Sequence, residues 1–309
     1  MKRYIELLES TIQKSTIIEL RKYLEPFRNI KKWMIISDYC FDDPNKSNNC
    51  ISFIIYPYVY SLDELQEDIK NRAKVDLKHT KNISDEFCDL YHSGIFYSMN
   101  FVVNEDNCIC HGITVESVRN LITQYIEMLK TWIKNQPEKK NDHEEKIKKF
   151  NVLLNETNRK TFNLRLFKEI FLVNFLVSYL TYILIKEMDI DIIGWFSDPD
   201  KIVSGYGEIA TVLYVVMHHT LCVEYLGVNY KQPITCLAGQ TSDIFYDELV
   251  RIADYICGFV SEFDLEDANK EYKDKYKKIS SNIVANNKYI SIININADGI
   301  NKTVHTKIE

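Results

Sequence analysis

Two apolar runs in this chain each end in an aspartate, and that pairing constrains the fold more than any other feature. Trp33-Met34-Ile35-Ile36-Ser37 runs into Asp38, and Ile190 to Ser197 (IDIIGWFS) runs into Asp198. A short apolar run bounded by polar residues reads as a strand covered on both faces. A carboxylate at its end then stands at a sheet edge rather than in the core. A third acid, Asp254, lies inside the helical segment DELVRIADYICGFV. Carboxylates brought from two strand ends and a late helix are the parts of a divalent-metal site, because Mg²⁺ takes oxygen ligands and keeps several waters.

The other segments supply a sheet for those strands. Residues 4–25 carry Ile5, Leu8, Ile12, Leu20 and Leu24 at helical spacing and stop at Pro26. Strands at 32–37 and Cys50–Tyr56 are joined by the polar loop DDPNKSNN, which predicts an antiparallel hairpin. A helix over 61–74 opens with a Ser61/Glu64 capping box, and a third strand covers Ile95–Val103. A patterned helix over 114–133 continues into NQPEKKNDHEEKIKK, a solvated loop or an exposed helical extension. A buried helix over 161–186, the strand 190–197, a helix over 208–226, a short strand over 233–237 and a helix over 243–263 follow. KYISIINI and INKTVHT form a terminal hairpin turned on Asp298-Gly299. The order predicts an α/β protein: a mixed sheet flanked by helices, with an N-terminal helix (1–30), a main domain (31–265) carrying a helical insertion at 113–186, and a basic C-terminal segment with a hairpin (266–309).

Composition narrows the partners. With 46% hydrophobic residues in 309, the chain can bury a sizeable core. A formal charge of −6 argues against a broad basic footprint, so a polyanion would need a local basic patch or a metal bridge. The eight cysteines show no disulfide framework. The longest uncharged run, Ile170–Ile185, has 16 residues, short of the roughly 20 that a bilayer span needs, so it is expected to be a buried helix. MKRYIELLESTIQK carries charges where a secretory leader has an apolar stretch, and a cytoplasmic protein without membrane contact is expected.

The segments MIISDYC, CISFIIY, VDLKHTK, IIGWFSDPDK and Ile252-Ala253-Asp254-Tyr255-Ile256-Cys257-Gly258 resemble the motifs of the bacterial family catalogued as "domain of unknown function 3800". The resemblance implies a ribonuclease H-like fold, in which the first strand lies parallel to the fourth and their C-terminal ends are neighbours. It implies Asp38, Asp198 and Asp254 as catalytic ligands of Mg²⁺ or Mn²⁺, with Lys78 and His79 at the substrate phosphate. The family's first motif runs Asp-Glu-Ser-Gly; here Tyr39-Cys40-Phe41 follows Asp38, so the second carboxylate is missing, with Asp42 and Asp43 as its nearest substitutes.

The resemblance therefore points to a metal-dependent nuclease or phosphodiester-processing enzyme acting on nucleic acid. The alternative is a degenerate ribonuclease H-like binding module, a subunit of a larger defence or mobile-element assembly. The long amphipathic helices suit protein partners or a homo-oligomer. Each acid also has a plainer reading. Asp38 would start a loop, Ser-Asp-Pro-Asp would be a turn, and Asp254 would share a solvated helix face with Asp247, Arg251 and Gly258. Three other groupings compete: a zinc set of Cys88, His92, Cys108 and Cys110; the pair His218-His219; and Gly205-Tyr206-Gly207 before a helix. The Lys/Tyr stretch at 270–278 could track a phosphate backbone, or be a solvated helix. No Walker, dinucleotide or Gly-x-Ser-x-Gly motif is present.

Overall fold

The strands expected at 32–37 and 50–56 lie at the centre of the sheet. The computed structural model describes residues 2–104, 106–237, 246–264 and 271–303. In chain order the elements are α1 (Lys2–Ile12), α2 (Thr16–Leu24), β1 (Lys32–Cys40), β2 (Asn49–Pro57), α3 (Leu62–Arg72), α4 (Asp85–His92) and β3 (Tyr97–Val103). Then come α5 (Val115–Asn135), α6 (Lys140–Glu156), α7 (Leu164–Glu187), β4 (Ile192–Ser197), α8 (Lys201–Leu226), β5 (Ile234–Leu237), α9 (Asp247–Glu262), α10 (Asp274–Ile279), β6 (Ile290–Ile295) and β7 (Ile300–Thr303). The protein is mixed α/β, and among the described residues seven strands form one sheet in the order β5-β4-β1-β2-β3-β6-β7.

The chain divides into two compact units, the first being Met1–Ile109, Ile183–Asp198 and Lys231–Glu309, the second Cys110–Tyr182 and Pro199–Tyr230. In the first unit β1 pairs antiparallel with β2 and parallel with β4. Asp38 is still within β1, opposite Ser52, rather than the first residue of a loop. Side chains alternate across a strand, so Asp38 shares its face with Met34 and Ile36. Both pack in one apolar cluster with Phe196 of β4 and with Leu249, Ile252 and Ile256 of α9.

α9 is fastened over that face at both ends. At its start the Tyr246 hydroxyl donates to the Ser197 carbonyl (3.1 Å), and the Tyr246 ring lies 5.1 Å from that of Phe196. Gly194 makes room for that ring, since a Cβ there would stand 2.3 Å from Phe196. At its end the Asn48 amide donates to the carbonyls of Val260 (3.0 Å) and Phe263 (2.5 Å), two of the acceptors a helix C-terminus leaves open. The start expected at 243–245 lies outside the described residues.

The single helix expected over 4–25 is two. Ile12 and Ile17 are both buried but five positions apart, about 140° out of step on a 3.6-residue helix, so one straight helix cannot bury both. The break falls between α1 and α2. The Thr11 hydroxyl then donates to the Ile300 carbonyl (2.6 Å), and Lys302 pairs with Glu19 (2.5 Å), so both helices are tied to β7. Ser61 accepts from the Glu64 N–H (3.3 Å), one half of the expected capping box. The terminal hairpin is formed by β6 and β7, and its residues 304–306 lie outside the described residues.

The second unit is helical. The Thr114/Ser117 capping box opens α5. The charged stretch after α5 forms the separate helix α6, which buries His143, Phe150 and Leu153 and stacks Phe150 on Tyr125 at 5.5 Å. By length and composition α7 and α8 could each cross a membrane, yet 89% of the most apolar window of α7 is buried inside the protein. Gly205-Tyr206-Gly207 is a break within α8, where Tyr206, Gly207 and Glu208 have positive φ and the Tyr206 hydroxyl donates to the Asn163 carbonyl (2.8 Å).

Candidate functional site

The parallel register of β1 and β4 sets Ser37 opposite Ser197. Asp38 and Asp198 are the next residues, on backbones about 4.8 Å apart. Both are half-buried. Asp254 comes from α9, also half-buried. The Asp38 carboxyl is pushed well above its ordinary range, first by burial, then by the charge of Asp254 and then by that of Asp198. The three acids therefore share one electrostatic environment. The Tyr39 backbone N–H and the Cys257 thiol pull the other way, favouring the ionised form of Asp38. Cys257, one turn on from Asp254, also lies 3.8 Å from the Cys50 carbonyl.

The face of α9 carrying Asp254 is not solvated, which corrects the plainer reading. Residues 73–80 lie along it, bonding to positions 251, 254 and 255 and packing on 258, an i, i+3, i+4, i+7 stripe. Arg251, buried, donates to the Ala73 carbonyl (2.8 Å) and pairs with Asp76 (3.3 Å) and with Glu248. Asp254 Oδ2 accepts the Leu77 backbone N–H at 2.8 Å. The Tyr255 hydroxyl donates to the Val75 carbonyl (2.9 Å) and lies 2.7 Å from the Thr80 hydroxyl. Gly258 receives the Leu77 side chain: a Cβ there would stand 2.4 Å from Leu77 Cδ2.

That docking brings the lysine of VDLKHTK near Asp254. Lys78 is exposed in the turn Leu77–His79, and its charge, with that of Arg251, favours ionised Asp254. Burial still dominates and raises the Asp254 carboxyl, while the Leu77 N–H opposes it. His79 is exposed beside Lys78. The two acids nearest in sequence to Asp38 serve the loop: Asp43 accepts from the backbone N–H (2.9 Å) and side-chain amide (3.0 Å) of Asn45, and Asp42 takes positive φ with its N–H on Asn49 Oδ1.

Three carboxylates are a hard, oxygen-only donor set that fits Mg²⁺ or Mn²⁺, and their mutual repulsion is what a bound cation would offset. As placed, among the described residues no three His, Cys, Asp or Glu side chains stand at ligand spacing. The same finding covers the cysteine and histidine set. His92 Nε2 donates to the Asn282 carbonyl (2.9 Å), and the Cys110 thiol lies 3.7 Å from the Lys168 carbonyl.

His218 is buried and His219 half-buried, as core and edge residues of α8. The Lys/Tyr stretch is largely used inside the fold. Lys275 donates to the Leu77 carbonyl (2.6 Å), Tyr276 is buried against Lys46 (3.0 Å), and Lys278 pairs with Asp85 (2.6 Å), while Lys270 lies outside the described residues. Periodicity did not expose the 73–80 segment, though Arg251, Asp254 and Gly258 on an otherwise apolar helix were a sign that something polar packs there. Comparison of the chain with protein-family models, with curated proteins and with solved structures finds no match.

Proposed function

We propose that this chain is a metal-dependent nuclease or phosphodiester-processing enzyme of ribonuclease H-like type, with Asp38, Asp198 and Asp254 as ligands of Mg²⁺ or Mn²⁺. The reading is carried by one relationship: the parallel register of β1 and β4 makes Asp38 and Asp198 neighbours at the strand ends, with α9, which carries Asp254, packed on the same sheet face. The strand arrangement supports it, since β1 is parallel to β4, as the family resemblance implies.

Bound cations would supply an activated water and charge stabilisation at the leaving oxygen. The chain's own residues hold and aim the substrate. Lys78, beside Asp254, offers a cation to a phosphate oxygen. The Leu77 N–H fixes one oxygen of Asp254, so that carboxylate enters with a set orientation. Calorimetric titration of the protein with Mn²⁺ tests the assignment. Heat in the wild type that disappears in Asp198→Ala supports it; a wild type silent at millimolar Mn²⁺ removes it.

A second reading, a degenerate module that binds without cleaving, draws on two observations. Among the described residues no three ligands stand at metal spacing, and the residues after Asp38 are Tyr39-Cys40-Phe41. A silent titration favours this reading.

A further inference from the structure

We infer that the cleft lined by residues 71–75, 79–84, Phe87 and Tyr255 binds a single nucleotide unit through its phosphate, held at a basic rim. The inference rests on the proposed function only in placing the reacting phosphate at the three acids; the cleft itself uses none of them.

The cleft encloses about 470 Å³, lined by residues 71–75, 79–84, Phe87 and Tyr255, all within the first unit. That is within the range of roughly 300–1,000 Å³ found for small-ligand pockets and larger than a bare phosphate needs. Its charged lining is basic: Arg72, Lys74 and Lys81, with His79 between them in sequence. In a chain of net charge −6, this is the local basic patch that a polyanion partner requires. Lys74 and Lys81 are exposed and make no ion pair among the described residues. The nearby acids are engaged: Asp68 pairs with Arg72 (2.8 Å), Asp76 with Arg251 (3.3 Å) and Asp85 with Lys278 (2.6 Å). Glu86 remains at the cleft's edge, its carbonyl holding Arg72 (2.9 Å).

Beneath the rim the cleft is closed by packed apolar side chains. Ile83, Phe87 and Tyr255 are buried, and the rings of Phe87 and Tyr255 meet at 4.6 Å. With those rings covered, the accessible lining is the cationic rim with Val75, so the cleft takes a nucleotide by its phosphate rather than by reading its base. The cleft also adjoins the proposed site along the chain. Tyr255 follows Asp254, and the segment that lines the cleft at His79 and Thr80 gives Asp254 the Leu77 N–H.

The test is calorimetric or fluorescence-detected binding of adenosine 5′-monophosphate and of a six-residue oligothymidylate to the full chain in EDTA. The proteins are wild type, Lys74→Glu/Lys81→Glu and Asp198→Ala. Both substituted lysines are exposed, so the fold is retained, checked by an unchanged melting curve. Binding of either probe that weakens about tenfold or more in the lysine variant and survives in Asp198→Ala supports the inference. Binding of the monophosphate alone assigns the cleft to free nucleotides, and binding of the oligomer assigns it to a strand. Failure of both probes, or binding indifferent to the lysine pair, overturns the inference. Nucleotide binding in EDTA with no Mn²⁺ heat sinks the metal-site reading alone; Mn²⁺ heat without nucleotide binding sinks the cleft alone.

Discussion

The backbone N–H of Leu77 donates to Asp254 Oδ2 at 2.8 Å, joining residues 177 positions apart. The bond fixes one oxygen of a metal-ligand candidate, and it holds the turn that carries Lys78 against α9. Leu77 is anchored a second time, because its side chain fills the space left by Gly258. One residue thus couples the position of the lysine to the orientation of the acid.

Gly258→Ala tests that coupling. The new Cβ would meet Leu77 Cδ2 at 2.4 Å, and Leu77 is buried, so its side chain must rotate or the turn shift. The expected loss is about 1–3 kcal/mol, reduced by alanine's better helix propensity. Leu77→Ala alone should cost about 2–4 kcal/mol by opening a cavity. Because the two side chains compete for one space, the double variant should cost less than the sum. Urea unfolding of the four proteins measures the coupling, and strict additivity would refute it.

Asp38 gives a pH prediction with a definite sign. Its carboxyl is raised above the ordinary 3.8 by burial, then by Asp254 and Asp198. A carboxyl raised in the fold holds its proton more tightly there than in the unfolded chain. Its contribution to stability is therefore full below about 3.8 and is lost as pH rises toward the native value. Asp38→Asn should stabilise the cation-free protein at neutral pH by about 1–2 kcal/mol and flatten that slope. The same change should abolish any rise in melting temperature on adding Mn²⁺. Thermal melts from acid to neutral pH, with and without Mn²⁺, read both effects. A variant less stable than wild type without cation would contradict the repulsion.

How far the sequence reveals this site depends on the range of the interactions. The strand ends at Asp38 and Asp198 are legible because an apolar run and its terminating acid are local, and parallel pairing then makes them neighbours. The hairpin of β1 and β2 is legible for the same reason. The break between α1 and α2 is written in the five-residue step from Ile12 to Ile17, which a looser helical reading passes over. The covering of α9 by residues 73–80 is not legible, since it rests on polar bonds between segments about 175 residues apart. A period-based reading sees Arg251, Asp254 and Gly258 as a solvated stripe; only the tertiary structure supplies their partners.

Arg251 should prove to be the main tether of that covering segment. It is buried, holds the Ala73 carbonyl at 2.8 Å, and pairs with Asp76 and Glu248. Arg251→Ala leaves the half-buried Glu248 carboxylate and the Ala73 carbonyl without their donor, at an expected cost of about 1–3 kcal/mol. Arg251→Lys should recover only part of it, because an ammonium cannot reproduce the guanidinium fork. Limited trypsin digestion should show faster cleavage after Lys74, Lys78 or Lys81 in the alanine variant. Unchanged digestion would mean that Asp254 and Tyr255 hold the segment without Arg251.

In the helical unit, acid sensitivity should trace to His218. Its Nδ1 faces the Tyr214 carbonyl at 3.0 Å, so that nitrogen carries the proton, and the buried Nε2 has no hydrogen-bond partner. Burial lowers this imidazole from 6.5 to about 4. A histidine depressed in the fold stays neutral there while the unfolded chain takes up its proton. Stability is therefore full above about 6.5 and is lost as pH falls toward about 4, by about 3 kcal/mol in all. His218→Leu removes the titration together with an unsatisfied buried acceptor. It should leave neutral-pH stability within about 1 kcal/mol of wild type while flattening the acid limb. Urea unfolding at a series of pH values checks this, and an acid limb as steep in the variant as in the wild type would assign the sensitivity to other groups.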